Sequence, residues 1–333
     1  MALEVVYEQP GNPADVLKVV EAKGPAGAPP GTVLVRVTAF PLHPGDLHAV
    51  EAARATGLPQ RAGIEAAGVV EALGPGVSRA DLHKGARVCV FPHPGAWGEY
   101  ILADPDFTVA VPDDVPDDAA AQMLVNPLTI TMLRRELERS SPLRDGGLFL
   151  QTAAGSSVGR LLSAEATRRG MAHINIVRSP EGARQLKRRL PDTPVLTTAD
   201  PDWQEQARKI ADGRPIGAAA DPVGGPLAGQ VLRMLSSGGT LIAYGQLDPR
   251  PVSLHSGQLL SDGLGLRGVA VTRWVATTSP EQRRRDVRSA VELTRAHLRH
   301  METPAHYDIA DLRKAVDHAQ RPGKVGTVLV TIG

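Results

Sequence analysis

The chain has 333 residues, and its 37 Lys and Arg residues nearly balance its 36 Asp and Glu residues, so the formal net charge is only +1. This balance argues against nucleic acid as a partner and favours a small-molecule substrate. The only cysteine, Cys89, excludes an internal disulfide and a zinc site built from several thiolates, and a reducing compartment, the cytoplasm, is expected. No run of the sequence has the composition of a signal peptide or the length of a transmembrane helix, so we expect no membrane partner.

The first third of the chain has the pattern of short β-strands. Runs rich in β-branched residues are separated by Pro and Gly, which is typical of a barrel or a sandwich. These runs are "TVLVRVTAF" (32–40), "AAGVVEALG" (66–74), "ARVCVF" (86–91) and "EYILAD" (99–104). After them, Asp residues followed by an apolar run predict a helix over 117–137.

Strand and helix patterns then alternate along the middle of the chain. The strands are "GLFLQTA", "HINIVR", "PVLTT", "GAAADPVG" and "GTLIAYG", and the helices between them include "VGRLLSAEATRRG", "PEGARQLKRRL" and "WQEQARKIA". This succession predicts a parallel, doubly wound sheet. The tail, with a polar helix, a second helix and the strand "GTVLVTI", is expected to return to the first domain. We therefore predict one domain of residues 1–120 and 275–333 and a second domain of residues 121–274.

The first turn of the predicted parallel sheet departs from the usual dinucleotide-binding pattern. Such a turn commonly reads G-x-G-x-x-G, but this chain has Ala154, Ser156 and Gly159 at the three positions. Ala154 adds little bulk, and the hydroxyls of Ser156 and Ser157 can donate to phosphate oxygens at the helix N-terminus. Gly159 still permits close packing of helix and strand. The turn is interpreted as a working variant, and the alternative is that small residues merely make a tight turn.

The end of the second parallel strand indicates which cofactor is bound. Proteins that bind NAD commonly carry an acidic residue about 20 positions after the turn, whereas the 2′-phosphate of NADPH requires a cation. Here the position carries Arg178, whose guanidinium can pair with a phosphate, and Ser179 adds a hydroxyl donor. NADPH is therefore predicted as the cofactor. The alternative is that Arg178 is an ordinary solvated residue at a strand end.

With these residues in view, the chain resembles the medium-chain dehydrogenase/reductase superfamily over almost its full length. The resemblance is carried by "HPGDL", "GIEAAGVVEALGPGV", "KGARVCVF", "GAWGEYILAD", "NPLTITMLRRE", "DPVGG", "SSGGTLIAYGQL" and "LRGVAVTRW". Within the superfamily, "VNPLT", the A-x-S-x-x-G turn, "IVRS" and the "LRG…TRW" stretch are most similar to the zinc-independent 2-enoyl thioester reductases, with the quinone oxidoreductases as near neighbours. The resemblance implies a GroES-like substrate domain, a Rossmann cofactor domain, a cleft between them, and a homodimer formed through the cofactor domains.

The resemblance also implies roles for single residues. One group borders the nicotinamide and its ribose, a second lies along the pyrophosphate, and a third holds the adenosine phosphate. The first group is Asn126, Thr129, Tyr244, Gly245, Val269 and Val271, the second is Ser156, Ser157 and Val158, and the third is Arg178 with Ser179. Ordinary structural roles stay open: Asn126 can cap a helix, and the segment 269–271 can be a core strand.

Zinc-dependent members of the superfamily carry metal ligands that this chain lacks. They place a Cys in the segment that corresponds to "PLHPGD" and a His before the Glu of "GIEAAG", where this chain has Leu42 with His43 and has Ile64. No metal is therefore predicted. One alternative is a metal held by side chains of this region, namely His43, Asp46, His48 and Glu65. Another is that Glu65 forms a structural salt bridge or a cap.

The catalytic Tyr of the enoyl thioester reductases is also missing. The segment that carries it reads "DLHAVEAARATGLPQR" here and contains no Tyr. His43 and His48 are the candidate substitute acids, because imidazole titrates near neutral pH. The predicted function is NADPH-dependent hydride transfer to an activated C=C bond of a 2-enoyl thioester or an enone. The alternatives are a quinone oxidoreductase and an NADPH-binding protein with little turnover.

Overall fold

The computed structural model of the protein describes residues 1–53 and 59–333. Within these ranges the strands are β1 (Ala2–Tyr7), β2 (Lys18–Ala22), β3 (Val33–Pro41), β4 (Gln60–Arg61), β5 (Ala66–Leu73), β6 (Arg87–Val90), β7 (Tyr100–Ala103), β8 (Thr108–Ala110), β9 (Leu148–Gln151), β10 (His173–Val177), β11 (Val195–Thr197), β12 (Ile216–Asp221), β13 (Thr240–Ala243), β14 (Gly265–Gly268), β15 (His306–Asp308) and β16 (Leu329–Thr331).

The helices of the same ranges are α1 (Pro13–Val16), α2 (Pro44–Glu51), α3 (Asp117–Ala120), α4 (Val125–Leu137), α5 (Ser141–Arg144), α6 (Ser157–Arg168), α7 (Pro180–Arg189), α8 (Trp203–Ala211), α9 (Gly225–Leu232), α10 (Ser256–Asp262), α11 (Trp274–Thr277), α12 (Pro280–Ala296) and α13 (Leu312–Gln320). None of them is long and apolar enough to cross a membrane.

The first of two units, Met1–Val125 with Thr294–Gly333, is rich in β-structure. A seven-stranded sheet has the order β15-β16-β3-β5-β6-β8, with β7 paired to β3, and a three-stranded sheet has the order β2-β1-β4. The long strands β3 and β5 pair antiparallel. Their buried side chains belong to one apolar core, in which the rings of Phe40 and Trp97 stack with centroids 5.2 Å apart. β3 is buried at seven of its nine positions, so the centre of the sheet lies within the core of this unit.

The second unit, Asn126–Leu293, is built on a six-stranded sheet of order β11-β10-β9-β12-β13-β14. All its neighbouring strands pair parallel. Their apolar residues, among them Leu150, Ile174 and Ala219, form a buried core, as expected for a parallel sheet that is covered on both faces. The predicted fold class, a β-rich domain with a doubly wound parallel sheet, is confirmed.

The boundary between the units differs from the predicted one. Residues 275–293 group with the second unit, although the sequence analysis assigns them to the first domain. The reason is a buried carboxylate on α12, Asp286, which accepts a hydrogen bond of 2.9 Å from Trp274 Nε1 and pairs with Arg135 on α4. These contacts attach α12 to α4 and to Trp274 of the second unit.

The helix predicted over 117–137 is interrupted. It consists of α3 and α4, and the chain between Ala120 and Val125 is not α-helical. The interruption turns the amides of Leu124 and Val125 toward the carboxylate of Glu65. Pro127 then lies in the first turn of α4, where its missing N–H is not needed by the helix.

Candidate active site

The carboxyl edge of the parallel sheet brings together most of the residues predicted to bind the cofactor. The turn 152–156 follows β9, Arg178 follows β10, Tyr244 and Gly245 follow β13, and Val269 follows β14. Because all six strands are parallel, these positions lie along one edge of the sheet. In open α/β sheets this edge is where ligands bind.

The variant turn after β9 keeps the tight geometry that a dinucleotide needs. Ala153 has a left-handed backbone with φ of 47°, which an alanine adopts only with some strain. A Cβ on Gly159 would lie 2.7 Å from both the carbonyl oxygen of Ala153 and the Cα of Ala154. Only glycine fits there. Gly155, in contrast, has open space where a Cβ would stand, with its nearest neighbour, on Val177, 3.9 Å away.

Ser156 and the first residues of α6 form the helix N-terminus behind this turn. Ser156 is the N-cap, and its Oγ accepts a hydrogen bond of 3.0 Å from Gly159 N. In that bond Oγ of Ser156 is the acceptor, so the hydroxyl hydrogen of Ser156 is not used by it. Ser157 and Val158 begin the helix, where backbone amides have no acceptor within the helix. The turn therefore presents N–H and O–H donors toward an anion.

Sequence reasoning missed Arg160, which supports the same turn from below. Its side chain is fully buried, and one guanidinium nitrogen donates to the carbonyl of Gly155 at 2.7 Å. In the sequence this arginine looks like any surface residue of a polar helix. Only the packing of α6 shows that its guanidinium contacts the turn after β9.

Arg178 is exposed at the end of β10, and within the described ranges its guanidinium has no hydrogen bond or ion pair. Ser179 next to it is the N-cap of α7 and accepts a hydrogen bond of 3.1 Å from Gly182 N. Ser179 therefore caps α7, and the guanidinium of Arg178 is the group that a ligand can reach.

Asn126 and Thr129 lie one turn apart at the beginning of α4, and both are buried. The side-chain nitrogen of Asn126 has no hydrogen-bond partner in the described part of the chain. A buried amide without a partner costs free energy unless a ligand satisfies it. With the space at Gly155, this orphaned donor shows that the residues present fit a dinucleotide such as NADPH.

Tyr244 supplies a second orphaned donor at the end of β13. Its hydroxyl is buried without a partner among the described residues, and burial together with the charge of Asp221 raises the pKa of the phenol. Asp221 itself accepts from Gly224 N at 2.8 Å and from the hydroxyl of Thr152. Tyr244 thus stays protonated and can only act as a hydrogen-bond donor or a neutral acceptor.

The remaining predicted residues of this edge have mixed surroundings. A Cβ on Gly245 would lie 2.9 Å from the carbonyl of Pro222, so the glycine allows close packing of two turns. Val269 is buried and donates its amide to Ala243 at 2.8 Å, which extends the pairing of β14 with β13. Val271 opens a short 3₁₀ helix.

A second group of polar residues lies in the first unit, around His43. The imidazole is 5% exposed, and its Nε2 lies 2.6 Å from Oε2 of Glu65, which is fully buried. The other carboxylate oxygen of Glu65 accepts from Leu124 N at 2.8 Å and from Val125 N at 2.9 Å. Burial opposes the charge on His43, but the hydrogen bond and charge of Glu65 outweigh it, so the pKa of His43 is raised.

His48, the other predicted acid, has different surroundings. It lies on α2 with its side chain 51% exposed, and its Nδ1 is 3.6 Å from the carboxylate of Glu51 on the same helix. The structure therefore separates the two candidate histidines, one buried against Glu65 and one on the surface. Residues 54–58 of the segment that lacks a Tyr lie outside the described residues.

The geometry around Glu65 does not support the metal alternative. No group of three or more His, Cys, Asp and Glu side chains in residues 1–53 and 59–333 is placed to hold a metal ion. Both oxygens of Glu65 are engaged in hydrogen bonds, and His43 uses Nε2 for one of them. Glu65 is instead the salt bridge and helix cap that the sequence analysis kept open.

Comparison with known proteins places these two units in a family. Residues 29–113 match the alcohol dehydrogenase GroES-like domain. The mitochondrial enoyl-[acyl-carrier-protein] reductase of Xenopus tropicalis is 30% identical over 332 residues, covering 96% of this chain and 92% of that protein.

Solved structures agree over the same length. A Bacillus thuringiensis protein assigned as an NADPH:quinone reductase has a TM-score of 0.85 and 27% identity, and covers 99% of this chain and 98% of its own. A mycobacterial protein solved with NADPH has a TM-score of 0.85 and 25% identity over 99% of both chains. The resemblance drawn from the motifs is confirmed: the chain belongs to the medium-chain dehydrogenase/reductase superfamily, in the zinc-independent branch of the enoyl thioester and quinone reductases.

Proposed function

We propose that the protein reduces the activated C=C bond of a 2-enoyl thioester or an enone with a hydride from NADPH. The family is one of NADPH-dependent oxidoreductases, in agreement with the enzyme class and cofactor predicted from the sequence. The observation that carries the choice of acceptor is the buried His43, whose pKa is raised by the hydrogen bond and charge of Glu65. A reduction that produces an enolate requires such an acid.

The carboxyl edge of the second unit is proposed to hold the cofactor. Ser156, Ser157 and Val158 would meet the pyrophosphate, and Arg178 would pair with the 2′-phosphate. Asn126, Thr129 and Tyr244 would donate hydrogen bonds to the nicotinamide and its ribose. NADPH, when bound, supplies the hydride. The protein's contribution is to position the cofactor and to keep water from it.

His43 is proposed to donate the proton that completes the reaction. Once the β-carbon has gained a hydride, the enolate must receive a proton at the α-carbon. The imidazolium of His43 can donate it from Nδ1, because Nε2 is held by Glu65. His48 is less suited, since its half-exposed ring would compete with solvent for the same proton.

Reduction of a quinone is the second candidate function, and the missing Tyr favours it. A quinone that gains a hydride becomes a hydroquinone anion, which solvent can protonate after release. Such an enzyme needs no acid of its own beside the acceptor. The 27% identical Bacillus thuringiensis protein carries the name of this activity.

A panel of acceptors tests the proposal. NADPH oxidation would be followed by absorbance with enoyl thioesters, enones, quinones and aldehydes, and NADPH affinity would be measured separately. We expect turnover of an enoyl thioester or an enone. Turnover of quinones alone would favour the second candidate, and micromolar NADPH binding without turnover of any acceptor would indicate a binding protein.

We propose that the protein forms a homodimer through the open edge of the parallel sheet in the second unit. Strand β14 is the last strand of the parallel sheet, and Leu266 on it is 50% exposed. Leu260 on the preceding α10 is 86% exposed. Exposed apolar side chains beside an open edge favour strand pairing with a second copy. Light scattering on the wild type and on Leu266→Glu tests this, and a monomeric wild type would refute it.

We propose that the protein acts in the cytoplasm, because its single cysteine is buried and its sequence cannot form an internal disulfide. The Xenopus tropicalis relative is named as a mitochondrial enzyme. Imaging of the tagged full chain in its own cells distinguishes the two locations.

A further inference from the structure

A cavity at the amino edge of the parallel sheet has no role in the function proposed so far. Its volume is about 550 Å³, which suits a small molecule. The cavity lies where three neighbouring strands begin, because Gly147 precedes β9, Ala172 precedes β10 and Arg214 lies shortly before β12. These strands are parallel, so their beginnings lie at the edge opposite to the one proposed to hold the cofactor.

Three arginines from three segments of the second unit line this cavity. Arg144 is the last residue of α5, Arg169 follows α6, and Arg214 lies beyond the end of α8. A cation at the C-terminus of a helix is favourable by itself. The helix ends do not explain, however, why all three arginines open on one cavity. Within the described ranges Glu138 is the one acidic residue that lines it, so the lining has an excess of positive charge.

Arg144 and Arg214 are exposed, and each uses one guanidinium nitrogen close to its own position in the chain. Nη2 of Arg144 donates to Oγ of Ser141 at 3.0 Å. Nε of Arg214 donates to the carbonyl oxygen of Ala211 at 3.2 Å. The other nitrogens of both groups make no hydrogen bond with any described residue. They are therefore donors that a ligand in the cavity can use.

Arg169 keeps part of its charge for a ligand as well, although it is paired. Its Nε donates to the buried carboxylate of Glu165. The same carboxylate accepts from Arg168 at 2.8 and 2.9 Å and lies 3.5 Å from Nη1 of Arg134. Even with Glu138, which is 3.5 Å from Arg134, two carboxylates face three arginines. This local excess adds to the charges of the other two arginines.

Leu143 and Met171 supply apolar surface to the same cavity, and both are half-buried. The flexible thioether of a methionine adapts to irregular ligand shapes. We propose that the cavity binds a small organic phosphate, with its phosphate groups on the arginines and its organic part against Leu143 and Met171. Planar guanidinium groups match phosphate oxygens in geometry and charge. A ligand at this edge leaves the carboxyl edge of the sheet open, so the cofactor can be bound at the same time.

Calorimetry on the full chain with one equivalent of NADP⁺ tests the proposal, with ADP, inorganic pyrophosphate and adenosine as probes. We expect ADP to bind more tightly than pyrophosphate, and adenosine not to bind. Arg144→Gln and Arg214→Gln should each weaken ADP binding about tenfold, because each removes charged donors to the phosphate. Arg233→Gln is the matched control, since Arg233 is exposed in the same unit and does not line the cavity, and it should leave the affinity for ADP unchanged.

The methyl resonance of Met171 shows where the probe binds. ADP should shift this resonance, assigned with Met171→Leu, and should leave that of Met301, which is buried in the first unit, unchanged. This readout uses the wild type, so it decides the question even if an arginine variant fails to fold. Neither readout requires turnover, and a failure here leaves the proposed reduction standing.

Four results would overturn the inference. The first is that neither ADP nor pyrophosphate binds, and the second is that ADP binds without a shift of Met171. The third is an equal loss of affinity in Arg233→Gln, which would show that the charge of the surface as a whole attracts the probe. The fourth is a failure of the phosphate or of the organic part to matter, seen as adenosine or pyrophosphate binding as tightly as ADP.

Discussion

The cofactor edge of the second unit and the acid cluster of the first unit are built in opposite ways. At the edge, parallel strands end together, and the groups offered to a phosphate are largely backbone amides and small residues. In the acid cluster, the side chains of His43 and Glu65 come from separate segments and meet in the core. A site made of backbone tolerates the exchange of Gly for Ala or Ser. A site made of side chains changes its chemistry with every substitution.

This difference explains why the two sites depart differently from the family pattern. The turn after β9 lost two glycines and still keeps the close approach at Gly159. The region of the catalytic Tyr lost the residue itself, and the same unit holds His43, whose pKa is raised by Glu65. Each prediction below perturbs one of the two regions and leaves the other intact.

The largest effect is expected from His43→Ala. Loss of a general acid typically lowers a rate by ~10²–10⁴-fold, so enone or enoyl thioester reduction should fall by this amount. Reduction of a quinone and the affinity for NADPH should stay close to wild type, because the cofactor edge is untouched. The measurement is kcat/KM for both acceptors.

His48→Ala is the control for this experiment, because its ring is exposed and paired with Glu51. We expect a rate close to that of the wild type. If His43→Ala keeps the wild-type enoyl rate as His48→Ala does, and the double variant keeps it too, solvent is the proton source and neither histidine takes part.

A smaller effect is expected at the cofactor edge from Arg178→Ala. Loss of one contact between a guanidinium and a phosphate costs ~1.5–3 kcal/mol, which corresponds to roughly a tenfold to hundredfold loss of NADPH affinity. Affinity for NADH should not change. Titration by fluorescence measures both, and Arg233→Ala, an exposed arginine at the end of α9, should change neither. Equal affinity of the wild type for both cofactors would contradict the assignment.

The turn itself is tested by Gly159→Ala. The added Cβ meets backbone atoms of Ala153 and Ala154 at 2.7 Å, and backbone cannot move aside as a flexible side chain can. Overpacking of this kind typically lowers the free energy of unfolding by about 1–3 kcal/mol. Gly155→Ala should stay within about 0.5 kcal/mol of the wild type, because its Cβ points into open space. Denaturant unfolding measures both, and equal effects would refute the packing argument.

The sequence predicted the cofactor edge better than the acid cluster, and the reason is physical. Strand ends follow from local patterns, so Arg178 and Tyr244 could be placed before the structure was known. The burial of His43 against Glu65 joins residues that are 22 positions apart in the chain, and no local pattern predicts such a contact. The interruption before α4 did leave a signal, since Pro127 is unfavourable within a helix that runs over 117–137.

The smallest effect, none at all, is expected from removal of metal ions. A metal at the acid cluster would need Glu65 and His43 as ligands, but one oxygen of Glu65 accepts hydrogen bonds from two amides and the other lies 2.6 Å from Nε2 of His43. A bound cation would also lower the pKa of His43, whereas the observed surroundings raise it. Prolonged dialysis against a chelator should therefore leave enone turnover unchanged. Elemental analysis that finds about one zinc per chain, with activity lost on chelation, would show that the cluster is a metal site after all.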